Sequence, residues 1–207
     1  MKIIVFIVLI ILVLVFVTVQ YFLQKGPDTR SFDRLLNPVI SELPNQNMLV
    51  VEAKGDPTVS GGKAMKLLFK TYYSLKGVPK SFKMNSPRAR WPLSFDTPKD
   101  QWIGLFALPI PADIKTLPDI KNPDKQNIYI DEWEYGTVAE ILHKGSYANE
   151  QPTIQRLNDY IKQQGYTIIG EHEEDYIKGP GMFGPGNPKK YLTIIRYRVE
   201  KKTEVQN

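Results

Sequence analysis

Glu174 is the side chain on which chemistry in this sequence most depends. Its charge would be costly to bury near aromatic faces, and a cationic ligand would offset that cost. As a base oriented by a Tyr or Trp, the same glutamate could instead attack a reactive electrophile through water. Its setting, Glu171-His172-Glu173-Glu174-Asp175, also fits a solvated strand end. The chain has three tryptophans, Trp91, Trp102 and Trp133, with Tyr135, Tyr147, Tyr176 and Tyr197 in strand or loop readings close by. Together these rings could line a pocket that stacks on flat or cationic molecules. Alternation along Trp102 to Leu108 puts Trp102, Gly104, Phe106 and Leu108 on one face, and Gly104 leaves room for a ligand or another backbone. Ordinary sheet packing would use the same rings. Glu140, among Val138, Ala139, Ile141 and Leu142, points either into a cleft or out to water.

Other chemistries find little support. His143 and His172 are the only histidines, and with no cysteine they are a weak basis for a metal site even beside Glu173 or Glu174. No metal or cofactor is expected. His143 reads as a strand-end residue shaping the turn at Lys144-Gly145. The absence of cysteine also excludes disulfides, thiol catalysis and a lipid-modified cysteine. No serine sits in a Gly-x-Ser-x-Gly elbow. Gly179-Pro180-Gly181-Met182-Phe183-Gly184 matches G-x-G-x-x-G, but a strand follows it where a dinucleotide site needs a helix. The stretch reads as a hairpin connection or as a flap with Met182 and Phe183 over a cleft mouth. Arg88-Ala89-Arg90-Trp91-Pro92 sets two cations beside an indole, to meet an anion or lipid headgroups or to form a solvated edge strand.

The elements that would position these residues come in two sets. Met48 to Gly55 and Thr137 to Gly145 are both strand-like runs ending in Lys-Gly, 90 residues apart by their closing glycines. A helix follows each: Ala64, Leu67, Leu68, Tyr72 and Leu75 before Gly77, then Ile154, Leu157 and Ile161 after Pro152 and before Gly165. Two strands follow each helix, Arg88 to Phe95 and Trp102 to Leu108, then Tyr166 to Ile177 and Tyr191 to Glu200. The plan is β-α-β-β twice, an α+β domain with its helices on one sheet face and the other face free to be concave. Pro109 to Asn127 connects the halves, and Gly179 to Lys190 is irregular.

Residues 3–23 hold 19 apolar side chains of 21, the exceptions being Thr18 and Gln20. As a helix they would span ~31 Å, about the thickness of a bilayer's hydrocarbon core. The run is too long for a secretory signal and its exit offers no small-residue cleavage site. Residues 1–24 are therefore read as one transmembrane helix and an uncleaved single-pass anchor, 25–40 as a tether, 41–201 as the folded domain and 202–207 as a tail. Lys2 on one side and Lys25, Arg30 and Arg34 on the other leave the orientation open. The 207 residues carry 27 basic and 22 acidic side chains, spread along the chain, so no nucleic-acid partner is expected.

Ile141-Leu142-His143-Lys144-Gly145-Ser146-Tyr147, then Thr153 to Leu157, Gly165, Glu174-x-Tyr176 and Thr193-Ile194-Ile195-Arg196 resemble the GyrI-like small-molecule-binding domain, the effector-binding part of AraC- and MerR-type multidrug regulators. The resemblance covers about residues 40 to 200. It implies a pseudo-twofold domain with an aromatic-lined cleft between the halves and a buried carboxylate for a cationic, aromatic ligand. The ligand residues it points to here are Trp91, Trp102, Phe106, Tyr147, Glu174, Tyr176 and Ile194. Some members hydrolyse small strained electrophiles with a glutamate and an aromatic partner, roles that would fall to Glu174 and Tyr176. Members commonly carry Glu where this chain has Ile194, which argues against hydrolysis and tight cation binding. The expected function is a membrane-anchored receptor for a small organic molecule. A hydrolase, and a module that docks a membrane protein without any ligand, are the alternatives.

Overall fold

The computed structural model describes Leu14 and residues 29–80, 85–94, 96–180 and 186–202. Apart from Leu14, the anchor segment 1–24 lies outside the described residues, and so do Met182 and Phe183. Among the described residues no helix is long and apolar enough to cross a membrane.

Local signals set the helices. Asp56 caps α1 (Pro57–Ser74), its carboxylate accepting from the Thr58 backbone N–H at 2.8 Å, and Pro57 needs no partner in the first turn. The stripe Gly61, Ala64, Leu67, Leu68, Thr71 and Tyr72 is buried, and the chain leaves the helix through Gly77 at φ +84°. In α2 (Gln151–Gln163) the buried stripe is Ile154, Leu157 and Ile161, and Gly165 at φ +77° ends the turn.

The strands are β1 (Val39–Leu43), β2 (Gln46–Lys54), β3 (Arg88–Trp91), β4 (Ile103–Pro109), β5 (Ile128–Trp133), β6 (Gly136–Lys144), β7 (Tyr166–Ile168), β8 (His172–Lys178) and β9 (Leu192–Lys201). They form one antiparallel sheet in the order β1-β6-β9-β8-β3-β4-β2-β5, with β7 also on β9. Exchanging β1 with β5, β2 with β6, β3 with β8 and β4 with β9 reverses this order onto itself. The two halves therefore share one topology, and they meet where β3 pairs with β8.

Three details differ from the sequence reading. Strands β1 and β5 are additional, and each pairs with the other half: β1 on β6, β5 on β2. The expected strand from Arg88 ends at Trp91, because Pro92 has no N–H to give a ladder. The expected strand from Tyr166 is interrupted near Gly170, where the Arg198 side chain fills the space a Cβ would take.

One register row crosses the sheet as Ile141, Ile195, Glu174, Ala89, Phe106 and Val51. Its apolar members pack under the helices: Val51, Ala89 and Phe106 beneath α1, Ile141 and Ile195 beneath α2. Both helices thus lie on one face, and Glu174 sits between the two cores. The other face is not open. Trp133 and Tyr135 cover part of it with Met48, Val50, Ala107 and Val138. The rest holds buried charges, described below. Gly104 is not free space either, since a Cβ there would stand 2.9 Å from the Trp91 ring and 3.0 Å from Phe106. Gly104→Ala overpacks this contact and is expected to cost about 1–3 kcal/mol, read as a lowered urea midpoint with an unchanged slope.

Candidate functional site

On the helix face, alternation along β8 turns His172, Glu174 and Tyr176 to the same side, facing Thr193, Ile195 and Tyr197 of β9. After β6 a 3-10 turn, Tyr147–Asn149, brings in Tyr147 and then Glu150 at the start of α2. His172 Nε2 lies 3.1 Å from Glu174 Oε1, and His172 Nδ1 lies 2.8 Å from the Tyr197 hydroxyl. With Nε2 donating to the carboxylate, Nδ1 accepts from the phenol. Tyr147 stacks edge-on to Tyr176 at 5.5 Å and lies tilted against Tyr191 at 5.3 Å. Its hydroxyl is so near the Gly179 backbone that a Cβ there would stand 2.6 Å away. Tyr147 is also 37 % exposed, so this ring is where the cluster meets solvent.

Glu150 makes the site unusual. An acid just before a Pro-started helix would be expected to cap it, but Glu150 makes no capping bond. It is 6 % exposed, and Oε1 has no hydrogen-bond partner among the described residues. Burial, then the charge of Glu174, push its carboxyl up to about 9, with the Thr193 hydroxyl pulling the other way. Burial and then Glu174 also raise the Tyr147 and Tyr176 phenols well above their ordinary value, and Tyr197 up to about 12. No described Lys or Arg makes an ion pair with Glu150 or Glu174. No described group of three or more His, Asp or Glu is placed to hold a metal.

The opposite face holds acids in the contrary condition. Arg196 donates to Glu140 Oε1 from Nε at 3.0 Å and from Nη2 at 2.8 Å, and Nη1 bonds Glu173. Arg90 donates to Glu173 Oε2 at 2.8 Å and stacks on Trp133 at 4.1 Å. Arg88 lies 3.3 Å from Asp175 and donates to the Tyr135 hydroxyl at 2.6 Å, which donates to Glu173 at 3.0 Å. Burial works to raise the Glu173 carboxyl, but Arg196, Arg90 and Arg88 outweigh it and hold it below the usual range. Every acid here has an arginine, and neither acid of the helix-face pair has one among the described residues.

Of the sequence-derived site residues, the fold gathers Tyr147, Glu174 and Tyr176. Trp91, Trp102 and Phe106 form an adjoining aromatic group under α1, with Trp91 edge-on to Trp102 at 5.6 Å and to Phe106 at 5.7 Å. Trp91 is the register partner of His172, and its buried Nε1 has no described hydrogen-bond partner. Ile194 is turned to the opposite face, paired with Leu142 and Asp175, so it does not take an acid's place beside Glu174. Arg88 and Arg90 lie on a central strand and inside the charge network, not on a solvated edge. Glu140 points neither into the cleft nor to water: it is 1 % exposed and held by Arg196. His143 does brace its turn, with Nδ1 2.9 Å from Thr153 Oγ1 and Nε2 3.1 Å from the Ser146 carbonyl oxygen. Sequence reasoning missed Glu150, Tyr191 and Thr193. For Glu150 no local signal offsets its place just ahead of Pro152, which reads as a solvated helix cap. A cavity of about 590 Å³ lies outside the cluster, lined by Lys144, Ser146, Asn149 and Lys189 among others.

No protein-family model and no curated relative matches this chain. Solved structures do. An uncharacterized conserved protein from Listeria innocua is similar at 20 % identity with a TM-score of 0.66, over 84 % of this chain and 97 % of that one. A hydrolase from Listeria innocua is similar at 19 % identity with a TM-score of 0.63, over 85 % and 100 %. The EcmrR C-terminal domain is similar at 16 % identity with a TM-score of 0.58, over 80 % and 98 %. At these identities the likeness is one of fold.

Proposed function

We propose that this GyrI-like α+β fold serves as a receptor for a small aromatic organic cation, held to a membrane by residues 1–24. One observation carries the reading. Two acids, Glu150 and Glu174, are buried in one cluster with four tyrosines and make no ion pair with a described arginine or lysine, while the buried Glu140, Glu173 and Asp175 of the opposite face each have an arginine. A buried negative charge needs a counter-charge, and here a ligand can supply it. Tyrosine faces favour that ligand being a flat cation. The apolar length of residues 3–23 supports the membrane tether, on a side the charge balance leaves unassigned. A partner protein in the membrane would then carry any signal onward.

The test uses the full chain in a non-ionic detergent and two three-ring probes of one shape. N-methylacridinium is a permanent cation, and acridine is neutral at pH 8. Equilibrium dialysis at pH 8 should give at least tenfold tighter binding of the cation, after correction for empty micelles. Equal affinities, or none, would remove the reading.

A second reading has its own support. Glu150, with its carboxyl pushed up, beside a second acid, Glu174, would supply the acid–base pair that a hydrolase of a small electrophile needs. One similar structure is a hydrolase. Glu174 would activate water, Tyr176 would orient it and Glu150 would protonate the leaving group. Turnover of an epoxide or cyclopropane probe, lost in Glu174→Gln, would favour this over simple capture.

A further inference from the structure

We infer that capture of an organic cation at this site is an exchange, in which the incoming positive charge expels one proton held between Glu150 and Glu174. The inference rests on the receptor reading and adds what the second carboxylate does.

The geometry gathers two acids in one cluster: Glu174 shares its strand face with Tyr176, Tyr176 stacks on Tyr147, and the turn from Tyr147 leads directly to Glu150. Glu174 comes from the middle of β8 and Glu150 from the start of α2, and both are more than nine-tenths buried. Two like charges so placed cannot both ionise without a counter-ion, so the empty site keeps one proton. The groups facing Glu150 leave few other places for it. From β8 come Glu174 and Tyr176; from the turn before α2 comes Tyr147, with Tyr191 against it; His172 and Tyr197 lie behind Glu174. The phenols at Tyr147, Tyr176 and Tyr197 are raised and stay neutral. His143 is engaged by Thr153 and the Ser146 carbonyl. Glu174 already accepts from His172, whereas Glu150 Oε1 lacks a described partner, so the proton resides on Glu150. The height of that carboxyl, about 9, accords with this placement.

The step balances. Before binding the pair is one carboxylic acid and one carboxylate, with net charge of minus one. A monocation arrives, the Glu150 O–H bond breaks, and its proton leaves to solvent. Two carboxylates and one cation remain, again with net charge of minus one. Exchange of this kind makes affinity rise with pH, and a monocation with no titrating group isolates the effect to the protein.

Calorimetry of N-methylacridinium binding to the full chain in detergent, in phosphate and in Tris at pH 7, counts protons released. About one per ligand is expected, with affinity rising about tenfold per pH unit from pH 6 to 8. In Glu150→Gln the release should fall to about zero and the pH slope should vanish. Cation binding without proton release, or release that survives in Glu150→Gln, would overturn the exchange and leave the receptor standing. No binding at any pH would overturn both.

Discussion

Arg196→Ala should be strongly destabilising, lowering stability by about 3–5 kcal/mol. Arg196 is 4 % exposed and bonds both Glu140 and Glu173, themselves 1 % and 2 % exposed. Burial opposes its charge, but Glu173, Glu140 and Asp175 outweigh that and hold the guanidinium above its ordinary value. Removing it leaves Glu140 with only Ser41 and the exposed Arg34, and Glu173 with Arg90 and Tyr135, so two buried carboxylates lose their shared guanidinium. The energetics is asymmetric. A buried ion network contributes little over an apolar one of the same shape, whereas half a network is costly. Arg196→Met combined with Glu140→Leu, Glu173→Leu and Arg90→Met, which leaves the Arg88–Asp175 pair in place, should therefore recover much of the loss in urea denaturation. Acid titration gives a second reading. The Glu173 carboxyl is held below the usual range, so its contribution is complete above ordinary carboxylate values and is lost as pH falls through its depressed one. In Arg196→Ala that acid limb should flatten.

Glu174→Gln should weaken N-methylacridinium binding about 30-fold at pH 7 while leaving acridine unchanged. Losing the partner of a buried charge typically costs about 2–5 kcal/mol, and each 1.4 kcal/mol is tenfold. The lower end applies here because Glu150 remains. Without the Glu174 charge, one of the two forces raising Glu150 disappears, and it ionises more readily to face the ligand. Glu150→Gln with Glu174→Gln should abolish the preference for the cation over acridine. Equal loss for both probes in Glu174→Gln would mean a collapsed pocket, not a missing charge.

The periodic parts of this chain were open to inspection. The apolar spacing of α1 and α2, their Pro and Gly boundaries and the paired Lys-Gly strand ends all act within a turn or two of sequence, and the structure keeps them. Strands β1 and β5 are not legible, because nothing in Val39–Leu43 or Ile128–Trp133 specifies a partner 93 or more positions away or in the opposite half. The charged face was hidden for a related reason. Arg88, Arg90, Glu173, Asp175 and Arg196 look like solvated strand ends until β3, β8 and β9 are known to be neighbours. Glu174 and Tyr176 could be named because a family resemblance pointed to them. Glu150 could not, since its position beside Pro152 argues for a wet helix cap, and only tertiary packing turns it inward.

The reciprocal pairing of β1 with β6 and β5 with β2 has an evolutionary side. Each repeat lends its leading strand to its twin, as two subunits do when they trade arms. A gene encoding one repeat would have yielded a swapped homodimer already equipped with the shared seam where β3 now meets β8. In one chain the two copies are free to differ, and at the seam β8 places Glu174 where β3 places Ala89.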